Sequence, residues 1–365
     1  MGDDAILENI IESIYRQISS AQFCVISRGL FPAYRGSRNI EVIKIDSFSL
    51  VREKIRMADV VIVGGGGILQ DYSGWTPQKE VGRKAKGMNY YGQVIDIAHK
   101  YRKKIYYYSI GIGPFFSSES INYACSLLST ATRVTVRDTE SYQFITKNLP
   151  KMNVIQTADP ALNLQSISPT KSRELLKLAN IPLEKKLVGI CLRSWRFKEN
   201  EEIELLDNIA RLGDLLSKTK NVHLVLLSLS QYTGDKKIIR MLAKQLPKRS
   251  YTLIRTNYPP KILKGILGEF SLMIGMRLHS LILSASMGVP VIGISYDPKV
   301  DYFTHLLKPN IFSFPYQALH PQNLYNLSIE LLNMSNQEKN IFQKSVLHLK
   351  ETEKLNTEFL FGGEN

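Results

Sequence analysis

Short runs of aliphatic and aromatic residues recur along the chain, separated by stretches whose apolar positions repeat at helical spacing. The runs at 22–27, 40–45, 59–63, 104–110, 133–137 and 153–156 read as strands. After a polar loop near 165–170 the pattern restarts, with strands expected at 187–193, 223–228, 252–254, 270–274 and 290–294. Strand and helix alternating in this way build parallel sheets covered by helices on both faces. At 365 residues the chain exceeds one ordinary core. The expected fold class is therefore α/β, with two Rossmann-like domains facing across a cleft. They are expected at residues 1–166 and 167–320, followed by a helical extension over 321–365. The first element is a helix rather than a strand. Asp3 and Asp4 form an acidic first turn, and Ile6, Leu7, Ile10, Ile11 and Ile14 follow as an apolar stripe. A doubly wound sheet normally opens on a strand, so the first domain is expected to lack its first strand.

Composition narrows the class. Hydrophobic residues make up 44% and charged residues 22%, which excludes a disordered or fibrous chain. The formal net charge of +14 asks for an anionic partner, such as nucleic acid, a phosphorylated substrate or a membrane surface, or else marks a solubilising coat. Three cysteines, Cys24, Cys125 and Cys191, are too few and too widely spaced for a disulfide framework or a zinc site. Histidines 99, 223, 305, 320 and 348 show no metal-ligand spacing, so no metal is expected. No run approaches the ~18 apolar residues of a membrane span, and the acidic N-terminus has no signal-peptide pattern. A cytoplasmic location is expected, with the inner membrane face as one surface that the charge would seek.

Five segments could carry chemistry. Gly64 to Gly67 follow an apolar strand and precede Asp71. At the carboxyl end of a strand this run is either a ligand-facing loop or a tight strand-to-helix turn, and Asp71 either a base or a helix cap. The run is neither a dinucleotide fingerprint nor a P-loop. Residues 108–114 (YSIGIGP) end the next strand with small residues and a proline stop. Arg137 ends a further strand, where a guanidinium fork suits phosphate or carboxylate, or else pairs with Asp138. Gly275 to Ser280 form a strand end, a turn and a helix start, which puts Arg277 and His279 in a first turn whose free N–H groups favour an anion. Asp297 and Lys299 follow the next strand and come to the same edge. Arg193, Ser194 and Trp195 end the second domain's first strand. The basic loop 78–88 reads as a lid or as a solvated loop.

Taken together these segments resemble the bacterial polysaccharide pyruvyl transferase family, of the cell-wall polysaccharide type. The matching pieces are Gly2-Asp3-Asp4-Ala5-Ile6-Leu7, residues 64–71, residues 110–114, Val136-Arg137-Asp138, Arg193-Ser194-Trp195, Gly275-Met276-Arg277-Leu278-His279-Ser280 and Ser295-Tyr296-Asp297-Pro298-Lys299. They run in family order over about residues 2–305. The family normally carries a strand and a glycine-rich loop ahead of Gly-Asp-Asp, and this chain opens inside that motif.

The resemblance implies a fold similar to GT-B glycosyltransferases. It implies phosphoenolpyruvate as donor, a lipid-linked or polymeric saccharide as acceptor, and no separate cofactor. Arg137, Arg277 and His279 would hold the donor with Lys299 nearby. His279 and Asp4 are the catalytic candidates. Leu278, Arg193, Gly65, Gly66 and Asp71 complete the expected substrate contacts. Two other readings remain at this stage: a GT-B nucleotide-sugar glycosyltransferase, and a non-catalytic glycan- or lipid-binding relative. Nucleic acid is not an expected partner, because no recognised binding motif is present.

Overall fold

The structure is a computed structural model that describes residues 2–27, 39–72, 85, 87–195, 197–198, 200–230, 234–255, 257–308 and 313–362. Most of the expected basic lid, residues 78–84 and 86, lies outside the described residues. The chain divides into two compact units. One comprises Ile6–Pro160 and Glu351–Asn365, and the other Met1–Ala5 and Ala161–Lys350. They are called here the N-terminal and C-terminal units. No helix among the described residues is long and apolar enough to cross a membrane.

The N-terminal unit holds helix α1 (Gly2–Gln17) from Ile6 onward, and strands β1 (Phe23–Ser27) and β2 (Ile40–Lys44). Helix α2 (Phe48–Met57), β3 (Val60–Leu69), α3 (Met88–Lys100) and β4 (Lys104–Ile112) follow. Then come α4 (Ser118–Leu128), β5 (Arg133–Val136), α5 (Thr139–Asn148) and β6 (Val154–Gln156). All pairings are parallel, as the alternation predicts. The strands form two sheets, a β1–β2 pair and the four-stranded β3-β4-β5-β6. Among the described residues β1 has only β2 as a neighbour, and β3 only β4.

The glycine run corrects an expectation. Gly64 to Gly67 are not a turn after the strand, because β3 continues through them to Leu69. Gly64 and Gly65 serve close packing instead. A Cβ on Gly65 would lie 3.0 Å from Ile6 of α1, and one on Gly64 3.1 Å from Ile10. The positive φ of Gly66 (101°) and the register shift between Gly67 and Leu69 bend the strand end without breaking it.

The C-terminal unit starts its sheet at β7 (Lys186–Cys191), after α6 (Pro169–Leu178). Helix α7 (Glu201–Lys218), β8 (Val222–Leu226), α8 (Asp235–Gln245), β9 (Tyr251–Leu253) and α9 (Pro260–Leu267) follow. The chain continues with β10 (Leu272–Gly275), α10 (Leu278–Ser286), β11 (Val291–Ser295), α11 (Pro298–His305), β12 (Ser313–Pro315) and α12 (Pro321–Leu332). Every residue of β8, β10 and β11 is buried, as expected of parallel strands covered on both faces. The strand order is β12-β11-β10-β7-β8-β9. The order reverses between β7 and β10, and such a switch point opens a crevice at the carboxyl ends of the two strands.

The expected extension over 321–365 is not a separate element. Helix α12 packs on α7 and β10 of the C-terminal unit. The long α13 (Asn336–Phe361) belongs to the C-terminal unit up to Lys350 and to the N-terminal unit beyond it. Its last turns are held by buried polar contacts. Asn356 accepts from Thr157 Oγ1 at 2.7 Å and donates to Ala158 O at 3.2 Å. Arg133 Nη1 donates to the carbonyls of Phe359 and Leu360 at 2.8 and 2.9 Å, satisfying helix-end acceptors. The domain junction falls between Pro160 and Ala161 rather than at 166.

Candidate functional site

The best-formed site lies at the switch point of the C-terminal sheet. Gly275 pairs with Cys191 across β10 and β7, so the loops that leave these strands are neighbours. They carry Arg277 and Arg193. Helix α10 begins at Leu278 with Arg277 as its N-cap residue, in extended conformation. Of its nine residues His279 alone is not buried. An apolar helix sunk in the unit therefore presents one imidazole and its own N-terminal amides at the strand edge. Gly288, with φ of 83°, and Pro290 end the segment as expected.

Asp235 organises this edge. It opens α8, is fully buried, and accepts from Arg277 Nε at 2.7 Å through Oδ2. Its Oδ1 accepts from the Ser194 amide at 3.1 Å. The loop approach depends on Gly234, where a Cβ would stand 2.8 Å from Ser194 Cβ. Burial by itself lowers the pKa of the Arg277 guanidinium, but the Asp235 hydrogen bond and charge outweigh it and the net shift is upward. The Cys191 thiol beneath the site is pushed up to about 12 by burial and then by Asp235. It stays protonated and inert at neutral pH.

The Arg193 guanidinium carbon lies 4.6 Å from the Trp195 ring and 4.7 Å from the Tyr296 ring. The two ring centroids are 4.7 Å apart. Arg193 Nη1 also donates to the Tyr296 hydroxyl. Lys299 Nζ sits 5.7 Å from the Tyr296 ring and 2.8 Å from Asp297, the residue whose side chain caps α11. The His279 ring packs on Gly2, which belongs to the same unit, and a Cβ there would lie 2.7 Å from the ring's Cγ. Asp4 follows two residues later in the first turn of α1, partly buried.

Arg193, Arg277, Leu278, His279, Lys299 and Asp4 thus all fall within one unit. Leu278 is a correction in kind. Its side chain is only 7% exposed and belongs to the core, so what it can offer a ligand is its backbone at the helix start. Gly65, Gly66, Asp71 and Arg137 belong to the N-terminal unit. There Arg137 is buried, with Nη1 2.8 Å from Asp159 and Nε 3.9 Å from Asp138. It rests on Gly111, where a Cβ would meet Nη2 at 3.1 Å. Asp71 is buried and accepts from Ser120 Oγ at 2.8 Å, holding the start of α4. Sequence reasoning missed Asp235. Its one signal, an acid after a glycine at a helix start, is shared with ordinary caps. No cluster of metal-ligating side chains occurs among the described residues.

Known structures share the fold of this chain. UDP-GlcNAc 2-epimerase from Methanocaldococcus jannaschii superposes with a TM-score of 0.65 at 11% identity, covering 98% of this chain and 96% of that one. A putative UDP-N-acetylglucosamine 2-epimerase from Listeria monocytogenes gives 0.64 at 11% identity, covering 98% and 94%. Anabaena HepE, solved with UDP and glucose, gives 0.62 at 14% identity, covering 99% and 95%. The fold is GT-B-like. No curated protein matches the chain in sequence. The polysaccharide pyruvyl transferase family model matches residues 1–298, and the chain belongs to that family.

Proposed function

We propose that the protein transfers the pyruvyl group of phosphoenolpyruvate to a sugar of a cell-surface polysaccharide precursor as a cyclic ketal and releases phosphate. The observation that carries this reading is the switch-point cluster: Arg277 fixed by Asp235, His279 as the outward residue of α10, and Arg193 alongside. Phosphoenolpyruvate bears a carboxylate and a phosphate. Two guanidinium groups and the positive end of a helix match that charge without a metal.

The chemistry balances with two sugar hydroxyls. A proton adds to the methylene carbon and makes it a methyl group, leaving C2 electrophilic. One hydroxyl oxygen bonds to C2 and gives up its proton. The C2–O bond to phosphate breaks, and the second hydroxyl closes the ring. One hydroxyl proton makes good the proton now in the methyl group, and the other leaves with phosphate. His279 is the candidate acid at the methylene carbon, and Asp4 the candidate base for the hydroxyl. Arg277 stabilises the departing phosphate.

The test is phosphate release from phosphoenolpyruvate with lipid-linked saccharides, with UDP-glucose as a parallel donor. Arg277→Ala is expected to cut turnover about 100-fold or more, and His279→Ala by a comparable factor. Unchanged turnover in both variants removes the assigned site. Glycosyl transfer from UDP-glucose without phosphate release from phosphoenolpyruvate overturns the reaction.

A further inference from the structure

The positive charge of this chain is not spread evenly. Residues 236–268 contain nine Lys and Arg and no Asp or Glu. That stretch alone supplies +9 of the net +14, leaving +5 for the other 332 residues. It covers most of α8, then β9 and α9, and β9 is an edge strand of the C-terminal sheet. Helix α8 is sharply two-sided. Ile238, Ile239, Leu242 and Ala243 are buried, while Lys237, Arg240 and Lys244 are exposed. The last three sit at i, i+3 and i+7, which is one face of a helix. Lys248, Arg249 and Arg255 extend the exposed cations beyond it. Among the described residues none of these six is in an ion pair, and no exposed acid within the segment offsets them.

We propose that this face of α8 and the turn after it dock the protein on an anionic phospholipid bilayer. Charge complementarity sets the class of partner, and three features choose the bilayer. The cations lie along one helix face and its following turn, an arrangement suited to a planar surface. The apolar side of α8 is sequestered in the unit, so attachment is electrostatic and reversible rather than by insertion. No large hydrophobic or aromatic side chain in the segment is exposed, so nucleic-acid bases find no ring to stack on. Position adds a consequence. Asp235 opens the same helix, which is about 16 Å long at 1.5 Å per residue. The docking face therefore begins within one helix length of Arg277 and keeps that site near the bilayer. Membrane binding does not depend on the pyruvyl transfer reading and is tested without it.

A cation close to an anionic surface contributes about 1 kcal/mol, or about fivefold in partition. Replacing three should weaken binding about 100-fold. The experiment is vesicle sedimentation with the full chain. It uses phosphatidylglycerol–phosphatidylcholine vesicles, phosphatidylcholine vesicles and a short DNA duplex, each at about 50 mM and about 500 mM salt. The expected result is binding to the anionic vesicles alone, lost at high salt. It should also be lost in Lys237→Gln/Arg240→Gln/Lys244→Gln, whose exposed positions leave the core intact. A control with the same net charge, Lys147→Gln/Lys151→Gln/Lys171→Gln, should bind like wild type. Equal loss in both triple variants, no vesicle binding, or tighter binding to the duplex each overturns the proposal.

Discussion

Replacing Asp235 with Asn tests whether one buried carboxylate fixes the geometry of the cation site. The substitution keeps shape and volume, so no cavity opens. What it removes is a charge-assisted bond of 2.7 Å to Arg277 Nε at a fully buried acceptor. Such bonds contribute about 1.5–3 kcal/mol. Stranding one member of a fully buried pair costs about 3–5 kcal/mol. The Arg277 side chain keeps 20% of its surface in water while Asp235 keeps none. Solvent therefore takes up part of a stranded guanidinium but none of a stranded carboxylate. The two single variants should differ accordingly. Asp235→Asn should cost about 2–3 kcal/mol, and Arg277→Ala about 3–5 kcal/mol. The double variant leaves no unpaired charge and should cost about as much as Asp235→Asn alone. The coupling energy then equals the cost of Arg277→Ala alone, about 3–5 kcal/mol. Denaturant unfolding of the four proteins, following the transition of the C-terminal unit, measures it. Additivity within about 0.5 kcal/mol would refute the pairing and with it the claim that Asp235 holds Arg277. The cycle also serves the kinetics, because it separates lost stability from lost phosphate contact in Arg277→Ala.

Two further outcomes follow from buried polar groups outside the site. Asn356→Ala removes hydrogen bonds to Thr135, Thr157 and Ala158, but each partner keeps a second contact, to Tyr107 O, Val136 O and from Ser109 Oγ respectively. The expected loss is therefore about 3 kcal/mol, near 1 kcal/mol for each bond, in the unfolding of the N-terminal unit; a loss below 1 kcal/mol would mean that α13 is not anchored there. His223 lies in β8, bonded to Thr252 at 2.9 Å, and burial lowers its pKa from 6.5. The unfolded chain then takes up a proton near pH 6.5 that the folded chain refuses, so this contribution is present above that pH and is lost as pH falls below it. Between pH 7.5 and 5.5 the melting-temperature advantage of wild type over His223→Gln should shrink, and a constant or growing gap contradicts the assignment.

What could be read in the sequence follows from how far apart the deciding contacts are. Strands β7, β8, β10 and β11 are buried on both faces and so appear as unbroken apolar runs. Among the described residues strand β12, with the sequence Ser-Phe-Pro, pairs with β11 alone, and it has no run to reveal it. Strand β3 looked shorter than it is because glycine usually ends a strand, whereas Gly64 and Gly65 are selected here by the closeness of α1. His279 was legible because a strand end and a glycine turn just before it place it in the first turn of a helix. Asp235 was not, because its meaning comes from the sheet order: the chain must travel from β7 through α8 and back to β10 before residues 193, 235 and 277 become neighbours. The same argument covers Arg137, whose strand-end position could be read locally but whose 2.8 Å partner, Asp159, comes one helix and one strand later. A motif thus exposes the residue that projects, while the carboxylate that orients it stays hidden until the sheet is wound.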